Sequence, residues 1–294
     1  MRRFLPLLVA LLWVGCDWTE MSPVDEQVVV EAYLRANQGL PHVRLTRSVS
    51  VDGTFDPAGR AITGASVVIE RLADDGSVLE SYPYEPQGEP SIYNPGPPAV
   101  VQPGATYRLR ATLPDGSEVT STTTVPDTLR LVSVSRDSTE YEGEQIELTL
   151  TRSVRVGANS YLVFTSEALE PSLENATDVT LELLDADDEL TVEELRITSS
   201  PPISETIYLD EESDQLKIKL PWLAVRFYGR HLIRISIVDE NLYDFLRSHL
   251  VQQGGSTFLP GEVPNILDHV EGGTGIFGSY ADASALVYVQ RETE

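Results

Sequence analysis

The sequence predicts an all-β protein: an N-terminal immunoglobulin-like β-sandwich, then a second β-sandwich-like domain with one α-helix near its C-terminal end. Three observations predict it. Apolar and polar side chains alternate with period two in segment after segment, as a sheet with one buried and one wet face requires. Proline and glycine punctuate these segments at near-regular spacing. A single stretch, near residues 240–253, carries a helical stripe instead.

Composition bounds the function. A length of 294 residues suits two domains of ~150 each, and 41% hydrophobic with 23% charged residues excludes wholesale disorder. The chain carries 46 acidic against 21 basic side chains, a formal net charge of −25, with no cluster of Lys or Arg. Such a surface repels phosphate backbones, so nucleic-acid binding is excluded. The only lysines are Lys217 and Lys219. An acidic, lysine-poor surface suits a salt-rich environment, where screening removes self-repulsion, and suits plain solubility equally well. The one cysteine, Cys16, leaves no internal disulfide and no zinc site built from thiolates.

The elements follow in order. Met1-Arg2-Arg3 is a positive head, and Phe4 to Val14 is an uncharged run too short for the ~20 residues of a membrane span. Gly15-Cys16 closes it as a bacterial lipobox does, although Trp13 stands where leucine is usual. Residues 1–15 are therefore expected to be a lipoprotein signal peptide. Cys16 becomes the lipidated N-terminus, and residues 16–26 form a polar tether. Acyl chains at ~0.8 kcal/mol per buried methylene make the membrane the first expected partner.

From Gln27 the alternation takes over. Val43, Leu45 and Val49 oppose His42, Arg44, Thr46 and Ser48; Tyr107, Leu109 and Ala111 oppose Arg108, Arg110 and Thr112. Ile146, Leu148 and Leu150 do the same against Gln145, Glu147 and Thr149. Pro103-Gly104 and Pro114-Asp115-Gly116 supply turns before and after the Tyr107 strand. Val125-Pro126-Asp127 marks a boundary, giving domains over 27–126 and 127–294. In the second, Asp239 caps a helix whose stripe is Leu242, Phe245, Leu246 and Leu250, closed by Gly254-Gly255 and expected to pack on a sheet edge.

Candidate sites are few. Gly273-Thr274-Gly275-Ile276-Phe277-Gly278 matches the dinucleotide fingerprint, but no helical pattern follows it. The glycines are read instead as a tight backbone passage before the final strand, Ala285–Gln290. Asp185, Asp187 and Glu189 alternate like the start of a calcium loop, while Leu190 and Arg196 stand where that loop needs glycine and glutamate. Asp210, Glu211 and Asp214 form a second acidic run. A weak surface calcium site on these six residues is the only cofactor expectation, and solvated loops are the plainer reading. His42, His231, His249 and His269 show no ligand spacing, and no G-x-S-x-G elbow exists. No catalytic function is expected. The stretch Tyr82–Gly104 holds seven prolines and Tyr82, Tyr84 and Tyr93, a candidate binding loop; prolines also guard edge strands against aggregation.

Several segments together resemble a known family. They are Cys16, the strand Val28-Val29-Val30-Glu31-Ala32-Tyr33-Leu34, Gly64-Ala65-Ser66-Val67 and Pro103-Gly104-Ala105-Thr106-Tyr107. Tyr243-Asp244-Phe245-Leu246, Asn265-Ile266 and the late glycine segment complete the set. The chain resembles the domain-of-unknown-function 4249 family of Bacteroidota lipoproteins, with Leu267-Asp268-His269-Val270 as an insertion before the glycines. The resemblance implies an outer-membrane lipoprotein made beside a TonB-dependent transporter, with no established activity. Asp17 and Glu20, just after the lipidated cysteine, point to the cell surface. The expected function is that of a non-enzymatic accessory that binds the transporter, its still unknown ligand, or both. A surface adhesin or structural module is the alternative, and a hydrolase whose triad forms only in the fold comes third.

Overall fold

The period-two segments fold as strands because only that conformation sends every second side chain to the same side. A computed structural model describes residues 26–49, 56, 58–152, 160–254 and 266–292. The signal, Cys16 and the tether as far as residue 25 lie outside the described residues. The first unit holds β1 (Val28–Arg35), β2 (Val43–Arg47), β3 (Ser66–Leu72), β4 (Val78–Pro86), β5 (Ile92–Pro95), β6 (Thr106–Thr112) and β7 (Glu118–Thr124). After it come β8 (Leu131–Val134), β9 (Ser138–Glu140), β10 (Glu147–Thr151), β11 (Tyr161–Ala168) and helix α1 (Asp178–Ala186). The chain continues through β12 (Ile197–Ser199), β13 (Ile203–Ser204), β14 (Leu209–Asp210), β15 (Gln215–Lys219) and β16 (Gly229–Val238). It ends with helix α2 (Glu240–Gly254), β17 (Val270–Glu271) and the long β18 (Thr274–Gln290).

The protein is mainly β, with two sheets and two α-helices among the described residues. The large sheet runs β12-β11-β16-β18-β1-β2-β5-β4-β3-β6-β7-β17, and the small one β14-β15-β10-β8. β18 organises both halves. Its first part pairs in parallel with β1, from Val29↔Thr274 to Arg35↔Tyr280. Its other side pairs antiparallel with β16, from Val238↔Tyr280 to Gly229↔Val289. Odd-numbered side chains serve two cores in turn: Phe277 and Ala281 join Leu34, Leu45, Ile69 and Leu109, while Ala285, Val287 and Val289 join Leu148, Leu150, Leu216 and Ile235. The first unit is thus completed by β17 and half of β18, from the far end of the chain.

Two glycines let the sheet close. β17 pairs with β7 at one end of the path and leads within two residues into β18, which pairs with β1. A Cβ on Gly272 (φ +77°) would stand 2.2 Å from the Glu118 carbonyl oxygen of β7. One on Gly275 (φ +116°) would stand 2.1 Å from the Val30 carbonyl oxygen of β1. Glycine is needed there for both conformation and space. The dinucleotide-like segment is therefore a strand seam.

The helices differ from expectation. α2 begins after Asp239, whose Oδ1 accepts from the Leu242 N–H at 3.1 Å. Its stripe packs on a sheet face rather than an edge, with Leu242 against Ile276 and Tyr243 stacked on Tyr161 at 3.6 Å. Leu250 stays 40% exposed. α1 has no counterpart in the sequence reading. Its cap is Thr177, and among its residues only Thr180 is buried, so it displays no stripe to read.

Candidate functional site

A cleft of about 600 Å³ lies between the outer face of β6 and β7 and the segment leading into β17. Its floor follows from strand alternation. Ile69 and Leu109 face the core, so Glu70, Arg108 and Arg110 face out, with Glu70 directly across from Arg108. The Glu70 side chain is only 4% exposed. It accepts from Arg108 Nε at 2.9 Å and Nη2 at 2.6 Å, and from Arg110 Nη2 at 2.9 Å. A carboxylate this buried needs such charge-assisted bonds. Arg110 Nε also meets Glu118 Oε1 at 3.5 Å, so two guanidinium groups are shared between two carboxylates on the floor of the cleft.

The opposite wall is residues 268–271, with Leu267 just before it. Each residue is pinned. The Leu267 N–H donates to Ser248 Oγ at 3.0 Å, and Asp268 accepts from the Thr274 hydroxyl and from the Gly275 N–H. His269 Nε2 meets Asp244 Oδ2 at 2.9 Å, and the Ser121 hydroxyl donates to the His269 carbonyl at 2.6 Å. Glu118, Thr120, Thr122 and Glu271 also line it.

Behind β7 sits a buried polar knot. Asp239 accepts from the Thr123 hydroxyl and, at 2.9 Å, from the Ser279 N–H. The Asn241 amide donates to the carbonyls of Thr122 and Phe277, both at 2.8 Å. The knot ties β7, β18 and α2 together where the ladder alone does not. Burial pushes the Asp239 carboxyl above its usual range, and these hydrogen bonds oppose the shift.

The cleft is equipped to bind polar groups. Its guanidinium donors, threonine hydroxyls and carboxylates offer complementary hydrogen bonds, while its serine and histidine are engaged elsewhere. The Ser121 hydroxyl is bonded to a main-chain carbonyl rather than to an imidazole. The other Ser–His contact, Ser166 Oγ to His231 Nδ1 at 3.1 Å, is buried. His231 Nε2 contacts the Phe227 carbonyl at 2.7 Å, so it carries the proton and Nδ1 accepts from the serine. Burial holds this imidazole below its ordinary pKa. Among the described residues no hydrogen-bonded Ser–His–carboxylate chain forms. His42 and His249 are exposed.

The residues singled out from sequence are placed differently. Tyr93 is fully buried, its hydroxyl donating to Ile62 O at 2.8 Å and accepting from the Ala65 N–H. Tyr84 is 5% exposed and donates to Pro41 O at 2.9 Å. Both are core residues, because the proline-rich stretch runs as β4 and β5 and turns these rings inward. Only Tyr82 reaches the surface, where it donates to Glu80; burial and that carboxylate push its phenol up to about 12. The three do not form a binding loop.

The acidic runs do not form a calcium site. Asp185 ends α1 exposed, and Asp187 accepts from the Glu189 N–H at 3.0 Å. Asp210 pairs with Lys217, which holds its carboxyl below the usual range, and Asp214 pairs with Arg152 at 3.0 Å. Glu211 is exposed. Among the described residues no three His, Cys, Asp or Glu side chains come close enough to hold a metal ion. The arginine pair over Glu70 escaped the sequence reading; a glutamate opposite alternating arginines on neighbouring strands was the available signal.

The sequence matches the family described as "Domain of unknown function (DUF4249)" over residues 18–285. The chain belongs to this family. The DUF4249 match starts two residues after Cys16 and takes in every described strand pair around the cleft. No curated protein matches the sequence. Among solved structures, a trypsin-activated alpha-2-macroglobulin from Escherichia coli is similar at 11% identity and a TM-score of 0.22, over 74% of this chain and 15% of that one. A methylamine-reacted Salmonella alpha-2-macroglobulin gives 12% identity and 0.25, over 90% of this chain and 15% of that one. The chain therefore spans 15% of each of those proteins. DIP-gamma IG1+IG2 gives 10% identity and 0.21, over 92% and 99% of the two chains. At these TM-scores the likenesses define no common fold.

Proposed function

We propose that this DUF4249 protein is a non-enzymatic, lipid-anchored outer-membrane lipoprotein of a Bacteroidota-type bacterium. It binds ligand as an accessory of a TonB-dependent transporter. The observation that carries the reading is the place of Cys16. The chain's only cysteine closes a positive-then-apolar leader, and the family match begins two residues later, so the leader lies outside the matched stretch. Lipid attachment at Cys16 holds the protein on the membrane, and Asp17 and Glu20 favour the outward leaflet. The first unit, with its seven strands and borrowed β18, is read as an immunoglobulin-like sandwich presenting the cleft. The cleft supports binding over turnover: Arg108, Arg110, Thr120 and Thr122 offer donors, and no activated nucleophile faces it among the described residues.

Calorimetric titration of the purified protein with the compounds its neighbouring transporter imports tests the ligand half of the proposal. Saturable binding that Arg110→Ala weakens at least tenfold is expected. Binding to none of them overturns it. Detergent partition of wild type against Cys16→Ser tests the anchor: wild type is expected in the detergent phase and the variant in the aqueous phase. Identical partition overturns that half.

A further inference from the structure

A second cavity, of about 580 Å³, opens where the Leu173–Asn175 turn, the first turn of α1 and the end of β18 meet. One side is apolar and open, with Leu173 63% and Leu181 41% exposed. The other is the ring of Tyr228, held in place by Tyr141 edge-on at 5.6 Å, which in turn meets Trp222 at 5.4 Å. The guanidinium of Arg291 lies 4.8 Å from the Tyr228 ring centroid, and its Nη2 donates to the Glu174 main-chain carbonyl at 2.6 Å.

Three carboxylates line the same space: Glu174, Asp178 and Glu292. Elsewhere this chain pairs cleft and sheet acids with arginine, as at Glu70, Glu167, Glu170 and Asp282. These three carboxylates have no ion pair within 4.0 Å and no side-chain hydrogen bond among the described residues. Arg291, although in the same cavity, is engaged by the ring and a carbonyl instead. Burial raises the Tyr228 phenol, and the charge of Asp178 raises it further, so the carboxylate field reaches the ring.

An electron-rich ring, three exposed carboxylates without an ion pair and an adjacent apolar wall together match one chemistry: a guanidinium or ammonium on an aliphatic stem, beside a second apolar side chain. We infer that this cavity docks a partner polypeptide through an arginine or lysine adjacent to a leucine-like residue, and that Arg291 occupies the ring face in the free protein. Arg291 over the Tyr228 ring marks that face as a cation position, which the partner's cation takes when it displaces Arg291. The inference stands apart from the accessory reading, because it requires neither a lipid anchor nor a transporter.

The test uses the full chain and a synthetic peptide with two Arg-Leu pairs spaced by glycine, alongside copies with Glu for Arg and with Ser for Leu. Binding is followed by calorimetry. The combined variant Glu174→Gln, Asp178→Asn, Glu292→Gln is expected to weaken binding at least tenfold, and Arg291→Ala to tighten it about fivefold. Both peptide controls are expected to bind at least tenfold more weakly. A net charge of −25 attracts any basic peptide, so Asp74→Asn, Glu85→Gln, Glu211→Gln serves as the charge-matched control and is expected to change affinity less than twofold. Equal losses in the two combined variants overturn the inference. So does a peptide that binds neither wild type nor Arg291→Ala. Circular dichroism of each variant confirms that it is folded.

Discussion

Gly275→Ala tests how the two ends of the chain are joined. The new Cβ would lie 2.1 Å from the Val30 carbonyl oxygen and 2.9 Å from the Val30 nitrogen, on backbone that cannot rotate away like a side chain. The φ of +116° is itself glycine territory, and holding alanine there costs about 1–3 kcal/mol. Relieving the clash means moving β18 off β1 around the Val30↔Gly275 pair. Losing about two ladder hydrogen bonds there, at ~1 kcal/mol each, adds roughly 2 kcal/mol. The expected total is about 3–5 kcal/mol, a fall in Tm on the order of 10 °C for a domain of this size. Gly76→Ala is the control, since Gly76 has φ +81° with nothing within 4 Å of a new Cβ. It carries conformational strain alone, about 1 kcal/mol. Urea and thermal unfolding of the two variants decide the matter. Gly275→Ala within ~1 kcal/mol of Gly76→Ala would refute the seam described here.

Glu70→Ala removes the anion under Arg108 and Arg110. Since those arginines are 33% and 43% exposed and can turn to water, a loss of about 2 kcal/mol is expected, below the 3–5 of a fully buried pair, with Glu70→Gln milder; urea unfolding measures both. Asp239 titrates above its unfolded value in the folded protein, so folding binds its proton. Its contribution is greatest below the usual carboxylate range and is lost as pH rises through the folded pKa. Asp239→Asn keeps a capping oxygen and is expected to flatten that fall, as stability measured from acid to neutral pH will show. His231 behaves in the opposite sense. Its folded pKa is depressed, so stability falls as pH drops below the ordinary histidine value. Its imidazole NMR signals are expected to hold the neutral form until the protein unfolds.

What sequence discloses and what it hides follow from one asymmetry. Alternation is local, so Leu109 and Ala111 inside with Arg108 and Arg110 outside, or Leu148 and Leu150 in β10, could be read without the fold. The Asp239 cap and the start of α2 were legible for the same reason. Pairing is not local. Nothing in residues 274–290 says that one strand serves two cores, or that it runs parallel to β1 some 240 residues earlier in sequence. Tyr84 and Tyr93 misled because prolines around them imitate a loop, whereas their hydroxyls are satisfied by the carbonyls of Pro41 and Ile62 inside a sheet. α1 was hidden by having no buried apolar stripe. The acids of Asp210 and Asp214 looked free only because their cations, Lys217 and Arg152, lie on other parts of the chain. The cleft combines both cases: its arginines alternate visibly, but Glu70 and the wall at His269 reach it through distant pairing.

The accessory reading meets its most direct test in the native membrane. The protein is purified from the membranes of its own cells in mild detergent, and everything that accompanies it is identified by mass spectrometry with its stoichiometry. The account predicts a TonB-dependent transporter in near-equal amount, and a mature N-terminus at an acylated Cys16. A protein that arrives alone, binding nothing its transporter neighbour imports, would contradict the account.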